Sequence, residues 1–160
     1  MDDEIFDACR LGDVETVTEL FKTFPYCIHA KDKRGFTPLI IAAYNNQLAV
    51  VEFLLAKGVD ADAKDSAGNT ALMGACFKGY NHIAKKLIEA GAKINSCNAN
   101  GAPALTFAVL YGQLQIAEWL LEAGAQSNLP DVEGKTSLDY ALLQKNEAMV
   151  ELIDKYEPLR

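Results

Sequence analysis

An all-α repeat solenoid is the fold class that the sequence predicts, and three observations predict it. The 160-residue chain aligns with itself on a shift of 33 residues, a spacing typical of stacked repeat architectures. Every copy carries the same punctuation: Asp or Asn, two residues, Gly, then an apolar run two to four residues further on. The run itself is the third observation. In "DKRGFTPLIIAAYNN" (32–46), Leu39 to Tyr44 leave almost no polar face, and a helix apolar nearly all round must be covered on several sides.

The elements follow in order. The opening segment "IFDACRLGDVETVTELF" fits the repeat template with one extra residue before Asp32, so that Ala8 matches Ala42 and Gly12 matches Gly79 and Gly112. It has no preceding turn, and Asp2, Asp3 and Glu4 are acids well placed at a helix N-terminus. In the next unit Asp32 and Gly35 suit a β-turn, Thr37 an N-cap and Pro38 a first helical position. Ala42 and Ala43 keep this first helix thin. A second helix is predicted from about Gln47 to Lys57, with Val50, Val51, Leu54 and Leu55 on its buried side and Gly58 after its end. Asp65, Gly68, Leu72 and Ala75 repeat the pattern, as do Asn98, Gly101, Leu105 and Ala108. Thr70 takes the cap in one, whereas Pro103 removes it in the other, so the helix after Pro103 is expected to start least regularly. In the last unit Thr136 and Asp139 make a capping box. There Asp154 stands where Leu55, Ile88 and Leu121 stand earlier, which predicts a polar outer face. One helix pair cannot bury its own apolar faces, so the units must stack and share a core.

These residues resemble the ankyrin-repeat family. The family pattern "D-x-x-G-x-T-P-L-H-x-A-A" followed by "G-H-x-x-V-V-x-x-L-L-x-x-G-A-D-x-N" is met closely over 32–62 and well over 65–95 and 98–128. The resemblance implies an ankyrin-repeat stack of about five units with β-hairpin-like connecting turns. It divides a single 1–160 domain into an N-terminal capping unit (1–31), full repeats at 32–64, 65–97 and 98–130, and a C-terminal capping unit (131–160). One departure is consistent. The family's histidine is replaced by Ile40, Met73, Thr106 and Asp139, so its threonine–histidine ladder should be missing or altered.

Composition excludes several functions. Half the residues are hydrophobic, the mean hydropathy is +0.01, and the net charge is −7. That charge argues against a nucleic-acid backbone as partner. No apolar run approaches the ~20 residues needed to span a bilayer, and the acidic start does not resemble a signal peptide. A cytoplasmic protein with no membrane association is expected. The four cysteines, Cys9, Cys27, Cys76 and Cys97, have no metal-binding spacing. Cys9 and Cys76 fall in the columns of Ala43 and Val109, marking them as small core residues.

No catalytic, metal-binding or cofactor-binding constellation is found, so an enzyme is not expected. His29 and His82 read as solvated surface residues. Asp60, Asp62 and Asp65 read as a solvated turn rather than a cation site. Asn95 and Asn128 match an asparagine that is hydroxylated in some members of the family. A local role in the turn is the favoured reading here.

The resemblance places binding on the concave side: hairpin tips and the exposed flank of the first helices. Carried over, these positions give Lys33, Arg34 and Phe36 at a tip, and Arg10, Tyr44, Asn45, Phe77, Lys78, Leu110, Tyr111 and Leu143 on the helices. Tyr44, Phe77, Leu110, Tyr111 and Leu143 line up across consecutive units, rimmed by Arg10, Arg34 and Lys78. Such a stripe is either exposed, as an interaction site favouring Tyr, Phe and Arg anchors, or packed between repeats. Trp119, on a second helix, is assigned to packing. The expected function is protein binding by a chain that is a monomer when free. It would act as a stoichiometric inhibitor or antidote protein, or alternatively as a small adaptor or a self-associating assembly protein.

Overall fold

A computed structural model describes residues 2–156. Ten α-helices follow one another among these residues: α1 (Asp2–Leu11), α2 (Val14–Thr23), α3 (Pro38–Tyr44), α4 (Leu48–Ala56), α5 (Ala71–Lys78), α6 (Asn81–Glu89), α7 (Ala104–Leu110), α8 (Leu114–Glu122), α9 (Ser137–Leu143) and α10 (Glu147–Tyr156). The odd-numbered helices pack in sequence as one layer and the even-numbered ones as a second, each odd helix also packing on the even helix that follows it. One apolar core runs unbroken between the layers from Ile5 to Ile153. Leu39, Leu72 and Leu105 form one of its columns, each buried, and truncating any of them to alanine should cost about 2–5 kcal/mol.

Local chemistry sets the start of each first helix. The hydroxyl oxygens of Thr37, Thr70 and Thr136 accept from the N–H of Ile40, Met73 and Asp139 at 3.2, 3.3 and 3.1 Å. The capping box of the last unit closes when Asp139 Oδ2 accepts from Thr136 N–H at 2.9 Å. Pro103 gives α7 no side-chain cap. Its carbonyl accepts from Thr106 N–H at 3.1 Å in a tight first turn, and it forms an isolated bridge with Cys97.

Between units the chain makes the expected hairpin-like tips, and their order comes from one side-chain atom each. Asp32 Oδ1 accepts from the N–H of Arg34 and Phe36 at 2.8 and 2.9 Å. Asp65, Asn98 and Asp131 repeat this with the residues two and four further on. Successive tips then join through main chain: Ser66 N–H to Arg34 O, Ala99 N–H to Ala67 O and Val132 N–H to Asn100 O, at 2.9, 3.0 and 2.9 Å. At Gly35 (φ +77°) a side chain would be excluded twice over, because a Cβ there would lie 2.9 Å from the backbone nitrogen of Ser66.

The first unit differs from the rest. Instead of a glycine stop and a hairpin, α2 runs into a 3-10 turn, Pro25–His29, which buries Cys27 and Ile28. This absorbs the extra residue before Asp32. It also places His29 at the end of that turn and not in a hairpin. Among the described residues, the last unit has no following unit to cover its first helix, α9. Asp154 is half-buried, but Leu142 is 54% exposed where its equivalents Ala43, Cys76 and Val109 are fully covered by a following unit.

Candidate protein-binding groove

The aromatic stripe is carried by the first helices α3 and α5 and by the residue that follows α7. The rings of Tyr44 (α3) and Phe77 (α5) lie parallel, 6.1 Å apart and inclined by 9°. Phe77 meets Tyr111, just after α7, edge-on at 4.7 Å. Lys78 Nζ sits 4.7 Å above the Tyr44 ring, a cation–π contact worth ~0.5–1 kcal/mol at an exposed site. Tyr44 and Tyr111 are 44% and 50% exposed, while Phe77 between them is half-buried. The stripe therefore packs on itself and still faces solvent.

In front of it lies a groove of about 580 Å³, within the ~300–1,000 Å³ range of ligand sites. Of the residues expected at a binding surface, Arg10, Arg34, Phe36, Tyr44, Asn45 and Phe77 line this groove together. Asn45 is held by donating from Nδ2 to Ile41 O at 2.8 Å. Lys33 is exposed on the first tip, whereas Leu110 and Leu143 are exposed further along the stack and outside the groove.

Several groove residues escaped the sequence reading as binding positions, among them Gly74 and Phe107. Both belong to one register column, Ile41–Gly74–Phe107–Tyr140, whose large residues are interrupted by a single glycine. That interruption was the available signal. It went unread because the column lies one helical step inside the positions that the family resemblance marks as exposed.

The groove's electrostatics are uneven. Arg10 pairs with Asp7 on the same helix. Asp65 also lines the groove, but its Oδ1 already accepts from the N–H of Ala67 and Asn69 at 2.8 and 2.9 Å. Arg34 and Lys33 form no ion pair among the described residues.

Elsewhere the singled-out residues have structural partners. Asn95 Oδ1 accepts from Gln126 N–H at 2.9 Å and its Nδ2 donates to Gly124 O at 3.1 Å, so it stitches adjacent units. Asp62 Oδ1 does the same by accepting from Lys93 N–H at 2.7 Å. Trp119 is half-buried with Lys85 Nζ 5.5 Å from its ring, and it packs on the core. His29 and His82 are exposed. Among the described residues no group of three or more His, Cys, Asp or Glu could hold a metal ion, and no helix is long and apolar enough to cross a membrane.

A two-layered stack of short helices with an open apolar groove on one side defines a repeat scaffold for binding. A family model described as ankyrin repeats (3 copies) matches residues 5–98 and again 72–158. The chain belongs to the ankyrin-repeat family, and ankyrin repeats make it a protein-interaction module. Curated relatives share short stretches with it. Palmitoyltransferase akr1 of Aspergillus oryzae is 39% identical over 61 residues, which cover 38% of this chain and 8% of that protein. Alpha-latrocrustotoxin-Lt1a of Latrodectus tredecimguttatus is 34% identical over 62 residues, 39% of this chain and 4% of the toxin. BTB/POZ domain-containing protein 3 of Schizosaccharomyces pombe is 36% identical over 55 residues, 34% of this chain and 10% of that protein. The chain thus matches a tenth or less of each relative's length.

Proposed function

We propose that the chain is a non-enzymatic module that occupies a partner protein's surface with its concave face, acting in the cytoplasm as a stoichiometric inhibitor or antidote protein. The observation that carries this reading is the continuous Tyr44–Phe77–Tyr111 stripe, whose two tyrosines face solvent on either side of the half-buried Phe77. Arg10, Lys33, Arg34, Phe36, Asn45, Lys78, Leu110 and Leu143 extend the contact surface around it. Apolar surface of this kind, rimmed by arginine, suits a protein interface. A compact acidic module is better suited to covering a surface than to bridging two.

The test compares wild type with Tyr44→Ala/Phe77→Ala in capturing a partner from native lysate, then titrates the purified partner. Wild type should capture it and saturate it at one equivalent, while the double variant keeps its helical circular dichroism and captures nothing. Equal capture by both proteins would sink the reading.

A second reading, self-association, is favoured by the exposed Leu142 and Leu143 on α9 and by the exposed Val132 on the tip of the same unit. Light scattering over a range of concentrations separates the two. A monomer throughout supports the first reading, and a dimer abolished by Tyr111→Glu or Leu142→Glu supports the second.

A further inference from the structure

Gly74 has no structural reason to be glycine. Glycine in a helix interior is destabilising relative to alanine. Here Gly74 is an ordinary helical residue: its N–H donates to Thr70 O at 3.2 Å, and it is absent from the positive-φ glycines. A Cβ built on it would meet one neighbour, Tyr44 Cδ2, at 3.4 Å, which is normal contact. Neither backbone conformation nor crowding forbids alanine. A side chain would, however, fill the floor of the groove. Ile41, Tyr44, Phe77 and Phe107 line the same groove as Gly74, and only Tyr44 would come within 4 Å of a Cβ there, so the place of the missing side chain is an open notch.

The charges beside the notch give its occupant a second property. Arg34 lines the same groove without an ion pair among the described residues, Arg10 lines it while paired to Asp7, and Lys78 lies over Tyr44. The facing carboxylate, Asp65, is engaged by two backbone N–H groups. On a chain of net charge −7, this is a local cationic rim around an apolar hole.

Resting on the reading that the groove binds a protein, we infer that the Gly74 notch is its specificity-determining pocket. It accepts one bulky apolar side chain, of the Phe, Leu or Met kind, from a segment of the partner whose neighbouring residues are Asp or Glu. The flanking carboxylates face Arg34 and Arg10.

The probe is a fluorescein-labelled nonapeptide of alternating Glu and Gly with one central Phe, titrated by anisotropy and by amide NMR. It should shift the amides of Gly74, Phe77 and Phe107. Binding should weaken about tenfold or more when the central Phe becomes Ala, and similarly when Glu becomes Lys or when Gly74→Phe fills the notch. Gly74→Ala should weaken binding less while raising Tm by about 2–4 °C, which shows that the loss is not unfolding. Undetectable binding of the Phe peptide overturns the proposal. So does equal binding by Gly74→Phe with the groove amides still shifting, which would leave the groove reading standing. Full partner capture by Tyr44→Ala/Phe77→Ala, measured alongside, would instead remove the groove reading itself.

Discussion

Thr106 Oγ1 lies 2.9 Å from Ser137 Oγ, and both hydroxyls are buried between α7 and α9. Thr106 sits in the column where the family carries histidine, Ile40 and Met73 hold the same place apolarly in the units before it, and Ser137 reaches it from two positions before Asp139, the last member of that column. Met73 adds a weak substitute of its own, its sulfur accepting from Thr70 N–H at 3.5 Å. The ladder is thus replaced by packing at one end of the stack and by a two-hydroxyl bridge at the other. Thr106→Val leaves Ser137 buried without its partner and should cost about 1–3 kcal/mol. Adding Ser137→Ala should recover part of that loss. Urea unfolding of both singles and the double variant checks it, and strictly additive losses would show that the hydroxyls do not act together.

Lys145 occupies a backbone conformation with φ +55°, in the column where Gly12, Gly79 and Gly112 take the same turn after a first helix. A left-handed conformation costs an ordinary residue about 1–2 kcal/mol, and glycine's greater freedom in the unfolded chain returns about 0.5–1 of it. Lys145→Gly should therefore stabilise the protein by about 0.5–1 kcal/mol. Gly112→Ala should act in the opposite direction. Thermal melts of the two variants should move apart, and a shared direction would contradict the strain argument.

The four thiols divide by burial. Burial pushes the Cys9 thiol up to about 12, with Cys27 adding to the rise. Cys76 and Cys27 are also raised by burial, whereas Cys97 is only half-buried. Because the thiolate is the reactive form, a thiol reagent at pH 8 should modify Cys97 first. The other three should follow at the rate of unfolding. Cys97→Ser should remove the fast phase alone, and a fast phase that persists would refute the assignment.

Tyr140 donates its hydroxyl to Asp131, closing the groove column of the last unit onto its own tip. That hydrogen bond, followed by burial, holds the phenol up to about 12, and the same bond leads the causes that lower Asp131. The signs differ. Tyr140 keeps its proton more tightly in the folded state, so its contribution is present below pH ~10 and fades as the pH rises through that of the folded phenol. Asp131 releases its proton more easily when folded. Its contribution is present above the ordinary carboxylate range and fades as the pH falls through its lowered value. In Tyr140→Phe the Asp131 carboxyl should titrate closer to an unperturbed aspartate by NMR. An unchanged titration would mean that the backbone N–H groups alone set it.

The frame was legible because repetition tests itself. The threonine caps, the Asp–x–x–Gly tips and the glycine stops each recur, so a single sequence behaves like several aligned ones. What could not be read were features that occur once. Phe24–Pro25 turning α2 into a 3-10 segment has no second copy to reveal it. The groove was half legible: Arg10, Arg34, Phe36, Tyr44 and Phe77 came from column positions, but whether the rings were buried depended on distances between units. Gly74 was hidden because a missing side chain has no periodicity of its own, and its meaning lies in what stands around it.

The tips join through backbone atoms, and Gly35 and Gly68 admit the next strand of chain to within 2.9 and 2.8 Å of where a Cβ would sit. Spacing between units is thereby dictated by peptide groups common to all sequences and not by the side chains that face the groove. The molecule behaves as a grid with fixed addresses, in which solvent-facing positions such as Tyr44 and Tyr111 can be exchanged while the joined tips hold the spacing. Selectivity in such a scaffold can drift quickly while the architecture stands still, and the same property would let a designer retune the groove by exchanging a few residues.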